Sequence, residues 1–530
     1  MPGTNRRVWP SCRPSVGPLS AFSLQRSRRT SSLMAITCQF ALGREARTSS
    51  FLLSASALLS AFPATAQESP SRTEEVTVPA GPVDTLGRSA PVEQDLPPAA
   101  RARARAAPGP EQSEDGFSIT GQFRVRGEAI DGQFRSFGPD SEELLLLQTR
   151  VDAQYKMGDL VLGGEIMDAR AYSTADNSTL RQAEVNTLEP LQYWAQYSLG
   201  DGLGEGTNTT LKLGQQRMLL GSARLINNPL FRNTANTYLG LRGDIKRGNT
   251  DGLTAFYMLP TRILPDDIEG YYDNRIEIDR NGFDLQLAGA FYHRKVADLN
   301  LELYAYYLGE GDSPDFQTRD RRLWTPGMRI YREPKRGKLD FELEGILQRG
   351  KARRTAAATD LVDRDVRAFY LYGELGYRLD NAVGPRFAVS ATYGSGQDES
   401  DKITRFDQLF GAIFPDYAPP GLYGPTTLSN VSSLGVDVIW TPGKWTIWNT
   451  FRRLRAPEPN DVFGRTGIRN GPNGEVGDQF FLRARYPLSP KVRFEIGGAL
   501  LLKGDFLKEA PGVINGDDTR YIYSDLTFTF

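Results

Sequence analysis

The chain has 530 residues, of which 39% are hydrophobic and 24% are charged, and its formal net charge is −1. A helix that crosses a membrane needs ~20 consecutive apolar residues. The longest apolar stretch, Phe51 to Phe62, is shorter and contains three serines, which excludes a helical membrane protein. The near-zero charge excludes a general affinity for nucleic acid, and the single histidine, His293, excludes most histidine-based catalytic and zinc sites.

The N-terminal region, residues 1–66, has the order of a secretory signal peptide. Arg44 and Arg47 form a basic segment, the apolar stretch follows, and Ala64 and Ala66 supply the small residues of a cleavage site. We therefore predict that the chain is exported and that the signal peptide is removed after Ala66.

Three further predictions concern the segment before residue 116. A start at Met34 would give a signal peptide of ordinary length, and we predict it as the true start. The two cysteines, Cys12 and Cys38, both precede the cleavage site, so the exported chain would contain no thiol. Residues 67–115 are rich in Pro, Ala, Arg, Glu and Ser and offer little surface to bury, which predicts a flexible, disordered periplasmic linker.

From residue 116 onward, apolar and polar residues alternate. Successive side chains of a β-strand point to opposite faces, and the first strand separates an apolar face (Phe117, Ile119, Phe123, Val125) from a charged face (Arg124, Arg126, Glu128). The same alternation recurs along the chain, and we count about 18 strands of the ~10-residue length that a tilted membrane strand requires. Around residue 285 it predicts an apolar face of Phe283, Leu285, Leu287 and Phe291 opposite Asp284 and Gln286.

Two architectures fit this pattern. A soluble sandwich or propeller would turn the apolar faces inward, whereas a transmembrane barrel turns them toward lipid and encloses a polar lumen. Soluble strands average only ~5 to 6 residues, so the strand length favours the barrel. We predict an all-β fold over residues 116–530, a single transmembrane antiparallel β-barrel of about 18 strands in the outer membrane of a Gram-negative bacterium.

The segment Ser395 to Asn430 alternates too little to form a strand pair. It carries Phe406, Phe410, Phe414, Tyr417 and Tyr423 among several prolines. A loop of this length is usually functional or disordered. Its aromatic side chains would either fold into the mouth of the barrel, as a gate or as a stacking surface for sugar rings, or pack on one another as a surface loop.

The C-terminus ends inside an alternating strand on Phe530, with Phe528, Leu526 and Ile522 in phase. Such an ending resembles the assembly signal that the bacterial outer-membrane insertion machinery reads, and we expect that machinery to be a partner. The other expected contacts are outer-membrane lipid and lipopolysaccharide, with periplasmic export partners left open.

The charged strand faces predict the content of the lumen. An arginine that faces lipid at mid-membrane costs ~2 to 4 kcal/mol, so the alternating charged residues should face inward. Guanidinium groups bind carboxylates bidentately, and the lumen is either an arginine track for an anionic solute or a set of cross-strand ion pairs. The residues predicted to line it include Arg124, Arg126, Glu128, Arg150, Glu165, Arg217, Arg224, Arg483 and Arg485.

Several motifs resemble the alginate-export family of outer-membrane proteins. The segment Leu213 to Ile226 is similar to its hallmark strand and turn, with Gln215 in place of the usual arginine. Further similar segments follow in order and cover essentially residues 116–530: Arg124 to Glu128, Gln148 to Val151, Gly164 to Arg170, Arg405 to Phe410, Gly477 to Leu482 and Lys503 to Leu507. The resemblance adds Arg170 to the lumen residues.

The resemblance implies passive export of an anionic polysaccharide such as alginate through an arginine-rich pore. A porin of the same architecture that takes up small anionic nutrients or oligosaccharides is the alternative, because function depends on the lumen and not on the fold. A barrel enzyme would need an acid and base pair such as Glu342 and Glu344, but alternation explains both residues. We therefore expect no enzymatic activity, no cofactor and no metal.

Overall fold

The computed structural model describes residues 115–530, except 174, 230, 249, 315, 382, 413–416 and 419–420. The predicted signal-peptide region, the linker up to residue 114 and Phe414 lie outside the described residues. Among the residues described, no helix is both long and apolar enough to cross a membrane.

Eighteen strands make up the described chain. They are β1 (Gly116–Asp131), β2 (Glu142–Met157), β3 (Leu160–Ser173), β4 (Asn186–Gly200), β5 (Thr207–Gln216), β6 (Tyr238–Arg247), β7 (Asp251–Pro260), β8 (Leu285–Val296), β9 (Leu299–Glu310), β10 (Arg322–Arg332), β11 (Leu339–Ala352), β12 (Arg364–Arg378), β13 (Arg386–Gly394), β14 (Val431–Trp440), β15 (Thr446–Arg455), β16 (Glu475–Ser489), β17 (Val492–Lys503) and β18 (Thr519–Thr529). Two short helices lie in loops, α1 (Ile268–Asp273) before β8 and α2 (Asp505–Glu509) before β18.

The strands close into one antiparallel barrel. Each strand pairs with its neighbours in sequence, and β1 pairs with β18 from Gln122 opposite Thr529 to Asp131 opposite Arg520. Closure leaves no sheet edge unpaired, as a membrane barrel requires. The prediction of a single barrel of about 18 strands is confirmed.

The connections differ in length at the two ends of the barrel. At one end the turns are short, such as 158–159, 297–298 and 490–491, and at the other end lie long loops, such as 217–237, 395–430 and 456–474. Outer-membrane barrels have short periplasmic turns and longer extracellular loops. This asymmetry places the long loops on the extracellular side.

The two strand faces have opposite character. On β1, Phe117 and Ile119 are 66% and 55% exposed on the outside, whereas Arg124 and Arg126 are 4% and 1% exposed on the inside. An apolar outer band around a polar interior is typical of a barrel that faces lipid.

One strand contradicts the predicted faces. Leu285, Leu287 and Phe291 of β8 are buried and face inward, opposite the side we assigned to them. Phe291 stacks on Tyr304 of β9 with ring centroids 6.2 Å apart, and its ring lies beside Gly221 of the loop that follows β5. Alternation gives the period of a strand but not which of its faces is inside. Here the inner face is apolar because it packs against other apolar side chains and the loop after β5 and not against water.

The last residue completes the closure. Phe530 exchanges two backbone hydrogen bonds with Gly121 of β1, at 2.9 and 3.0 Å, and its side chain lies outside the barrel. A Cβ atom on Gly121 would lie 2.0 Å from the tip of the Phe530 ring. Glycine at position 121 therefore makes room for the terminal aromatic side chain.

Candidate functional site

The lumen contains two long loops that fold inward. The first, 217–237, is buried along most of its length and contacts β1 and β2. Arg124 Nη2 donates to Asn233 Oδ1 at 3.1 Å, and Gln148 Nε2 donates to the carbonyl of Asn233 at 2.6 Å. The guanidinium of Arg126 lies 3.9 Å over the ring of Phe231, which also meets Tyr523 edge-on.

The second inward loop, 395–430, starts after β13 and ends before β14, as predicted. Near one end, the backbone N–H and carbonyl of Asp407 bond to the Gln348 side chain on β11, at 2.8 and 2.7 Å. Near the other end, the N–H of Leu422 donates to Glu128 Oε2 on β1 at 2.7 Å. Because β11 and β1 lie on opposite sides of an 18-strand ring, the described parts of this loop contact opposite walls of the lumen.

The aromatic residues of this second loop pack against the barrel wall. Phe406 stacks on Tyr370 of β12, and Tyr423 stacks on Tyr521 of β18 with ring centroids 5.4 Å apart in each pair. Tyr423 also donates from its hydroxyl to Gln479 Oε1 at 3.0 Å. Of the two predicted arrangements, these contacts agree with a loop folded into the barrel.

The two loops also bind each other inside the barrel. Phe410 N–H donates to the Leu225 carbonyl at 3.0 Å, Asn227 N–H donates to the Phe410 carbonyl at 3.2 Å, and Ala412 N–H donates to the Ala223 carbonyl at 3.1 Å. These contacts form a short parallel bridge between Ile226 and Phe410. The two loops together narrow the lumen on the side of the long loops.

A basic recess lies below the first loop, toward the short-turn end of the strands. We define it by the five arginines Arg124, Arg150, Arg483, Arg485 and Arg493, which surround two carboxylates, Glu495 and Asp525. Gln122, Gln148 and Phe231 complete its lining. Five guanidinium groups against two carboxylates leave an excess of three positive charges.

Each carboxylate on this side of the lumen is close to at least one arginine. Glu495 Oε2 accepts from Arg483 Nη2 and Arg485 Nη2, both at 2.8 Å. The tips of these two arginines also lie 4.7 and 5.5 Å from the ring of Trp448. Asp525 lies 3.6 Å from Arg124 Nε. The acids therefore hold the arginines in place without neutralising all of them.

The ion pairs continue around the wall to β3 and β5. Glu165 of β3 accepts from Arg150 Nε at 2.6 Å and lies 3.1 Å from Arg217 Nη2, at the end of β5. One acid again lies between two arginines. The basic side of the lumen thus extends from β16 through β1 to β5.

On the opposite wall of the lumen, acidic residues outnumber basic residues. Five buried carboxylates meet three arginines there: Glu302, Asp340, Glu342, Glu344 and Glu374 with Arg224, Arg329 and Arg386. Arg329 bridges Glu302 and Glu342 at 2.9 Å each. Arg224 pairs with Glu342 at 2.7 Å and also with Glu344, and so joins the first inward loop to β11. The lumen therefore has a basic side and an acidic side.

The structure places most of the predicted lumen residues inside, but their surroundings differ. Arg124, Arg150, Arg483 and Arg485 line the basic recess. Arg126 and Glu128 contact the inward loops, Glu165 and Arg217 pair beside the recess, and Arg224 lies on a loop and not on a strand.

Arg170 does not lie in the lumen. Its cross-strand partner is Leu147 of β2. Two positions further along each strand, Tyr172 and Leu145 form the next pair on the same face, and both are exposed on the outside of the barrel. Arg170 pairs there with Asp168 at 2.9 Å. Residues 165 and 170 are five positions apart, so in one strand they must point to opposite faces.

Sequence reasoning missed the role of residues 217–237. Phe231 and Asn233 hold this loop against β1, yet neither belongs to an alternating segment. Met218, Leu220, Leu225 and Ile226 are apolar in a stretch that does not alternate. Apolar residues at that density are the sign that a loop is covered by protein and not by water.

Comparisons with known proteins agree with the architecture. A family model described as alginate export matches residues 116–519. Among solved structures, Pseudomonas aeruginosa OccK2 (OpdF) is similar with a TM-score of 0.51 and 10% identity, over 78% of this chain and 97% of that one. Pseudomonas aeruginosa OccK8 (OprE) has a TM-score of 0.49 and 11% identity, over 78% and 98%. No curated protein matches the chain.

Proposed function

The chain belongs to the alginate-export family and forms an outer-membrane β-barrel, and we propose that it is a channel for passive export of an anionic polysaccharide such as alginate. The observation that carries this proposal is the charge of the basic recess, where five arginines surround two carboxylates. Guanidinium groups bind carboxylates, including those of acidic sugars, through two parallel hydrogen bonds.

Arg493 is the recess residue most available to a passing anion. Its guanidinium donates to Thr527 Oγ1 at 3.2 Å, and within the described part of the chain it makes no ion pair. Arg483 and Arg485 share Glu495, which fixes their guanidinium groups beside Arg493 in the recess. A carboxylate that enters the recess therefore gains charge-assisted hydrogen bonds without breaking an ion pair of Arg493.

We propose no covalent chemistry for this lumen. Glu342 and Glu344, the pair that an enzyme would have used, are each bound to Arg224, and Glu342 also to Arg329. Carboxylates that are both engaged in ion pairs with arginine are poorly placed to exchange a proton with a substrate. We also propose that the strand ending at Phe530 is the segment recognised by the outer-membrane insertion machinery.

Conductance of the purified protein in planar bilayers tests the proposal. We expect selectivity for anions and a current block by oligouronates that becomes longer with chain length, since a longer chain bridges more arginines. Arg483→Gln and Arg493→Gln should reduce both, while Arg520→Gln, on the outer face, should leave both unchanged. Anion selectivity without a block that depends on chain length would favour the small-anion porin, and cation selectivity would refute both.

A further inference from the structure

Four arginines from four different loops converge at the extracellular end of the lumen. They are Arg135 in 132–141, Arg181 in 174–185, Arg232 in 217–237 and Arg465 in 456–474. Each of these arginines has Glu184 as an electrostatic neighbour. We call these four arginines with Glu184 the loop cluster.

The loop cluster is held together by the second inward loop. Arg135 Nη2 lies 3.5 Å from the carbonyl of Tyr423, and Arg181 Nη2 lies 3.4 Å from the carbonyl of Gly421. The backbone N–H of Arg465 donates to the carbonyl of Pro425, in the same loop, at 3.0 Å. The segments of Arg135, Arg181 and Arg465 therefore meet around residues 421–425.

The loop cluster contains more basic than acidic groups. Glu184 is buried, and its carboxylate lies 3.7 Å from Arg181 Nε. Arg135, Arg232 and Arg465 make no ion pair within the described residues. Arg232 donates to Thr234 and Asn236, while its buried Nε meets no acceptor. Within the loop cluster four guanidinium groups meet one carboxylate. Glu128 and Glu142 also neighbour Arg135, and both accept hydrogen bonds from other groups.

The arginines of the loop cluster repel one another. Burial and the neighbouring guanidinium of Arg181 lower the pKa of Arg135 to about 9. Burial and the neighbours Arg181 and Arg232 hold the pKa of Arg465 well below its ordinary value. Like charges kept away from bulk water are unfavourable unless an anion joins them. A bound anion would remove that cost.

The loop cluster and the basic recess are separate but adjacent. The recess lies on strands toward the short-turn end, whereas the cluster lies in the long loops. Residues 231–233 lie between them, because Arg124 of the recess donates to the carbonyl of Arg232 of the cluster at 2.9 Å. A chain that passes through the lumen would meet both groups of arginines.

We propose that the loop cluster is a second anion-binding site, which holds a carboxylate of the transported polymer at the extracellular side while another carboxylate occupies the basic recess. This inference rests on the proposed function. It assigns binding to Arg135 and Arg465 in particular, which no alternating segment contains and which face Glu184 without an ion pair of their own.

Single-channel recordings with a hexameric oligouronate added to one side at a time test this inference. We expect Arg465→Gln and Arg135→Gln to shorten the block from the long-loop side at least about tenfold, because each removes a charge-assisted bond. The block from the short-turn side should persist, since the recess is intact. Arg469→Gln is the matched control, because Arg469 is exposed in the same loop.

The outcomes separate the two proposals. If the oligouronate blocks both variants for as long as it blocks the unmodified protein, whichever side it is added to, the second site is refuted while the recess remains. If the unmodified protein shows neither anion selectivity nor a block from either side, the proposed function fails and the second site fails with it. Should Arg135→Gln not fold, Arg465→Gln still decides, because the Arg465 side chain makes no hydrogen bond within the described residues.

Discussion

Glu128 links the barrel wall to the second inward loop, and its replacement tests whether that loop controls the lumen. The buried carboxylate accepts from the N–H of Leu422 at 2.7 Å and from the hydroxyl of Tyr521 at 3.0 Å, and it lies 3.4 Å from Arg126 Nε. Glu128→Gln keeps the shape of the side chain but removes its charge. The loop remains bound at its other end, where Asp407 bonds to β11.

The size of the effect follows from these contacts. A hydrogen bond to a charged group contributes ~1.5 to 3 kcal/mol, and the glutamine oxygen retains only part of it. Loss of the whole contribution would shift the equilibrium between the docked and released loop by about 10- to 150-fold, since 1.4 kcal/mol is tenfold, and the part that glutamine retains reduces this shift. The end of the loop near Leu422 should therefore be released far more often.

Two measurements check this prediction. Hydrogen exchange at the amide of Leu422 should become faster in Glu128→Gln, and single-channel recordings should show more frequent events of higher conductance. Glu143→Gln is the control, because Glu143 is exposed on the adjacent strand. A folded Glu128→Gln protein with unchanged exchange and unchanged conductance would refute the reasoning.

Three further predictions concern other contacts. Arg493→Gln should lower anion selectivity in reversal-potential measurements without lowering thermal stability, because this arginine is not part of an ion pair in the described chain. Gly121→Val should slow assembly into the heat-modifiable folded form, seen by gel shift during refolding, because its side chain collides with the ring of Phe530; assembly at the normal rate would contradict this. Arg224→Gln should lower the melting temperature in detergent by removing the arginine that pairs with the buried Glu344, a change that costs ~3 to 5 kcal/mol; an unchanged melting temperature would show that the pair contributes nothing.

The barrel could be predicted from alternation because the face on which a strand residue lies repeats every second position, which the sequence shows directly. It did not fix which face of β8 is inside, because that choice depends on what fills the lumen: Leu285 and Leu287 face inward although the opposite face carries Asp284 and Gln286. The misplacement of Arg170 is different. Its distance of five positions from Glu165 already places the two side chains on opposite faces of β3, so the motif as a whole cannot line the lumen.

The bounds of the loop 395–430 followed from the sequence, because a strand stops where alternation stops. The partners of that loop did not, since Leu422 and Glu128 are 294 positions apart and no local pattern joins them. The arginines of the loop cluster were missed for the same reason. Arg135 and Arg465 lie in unrelated loops, and only the closed barrel brings them near Glu184.

The parallel bridge between Ile226 and Phe410 has a mechanical consequence. Three backbone hydrogen bonds tie the two inward loops to each other, so neither can swing aside alone without breaking them. A displacement of the first loop at Arg224 would therefore move Phe410 and Ala412 of the second loop as well.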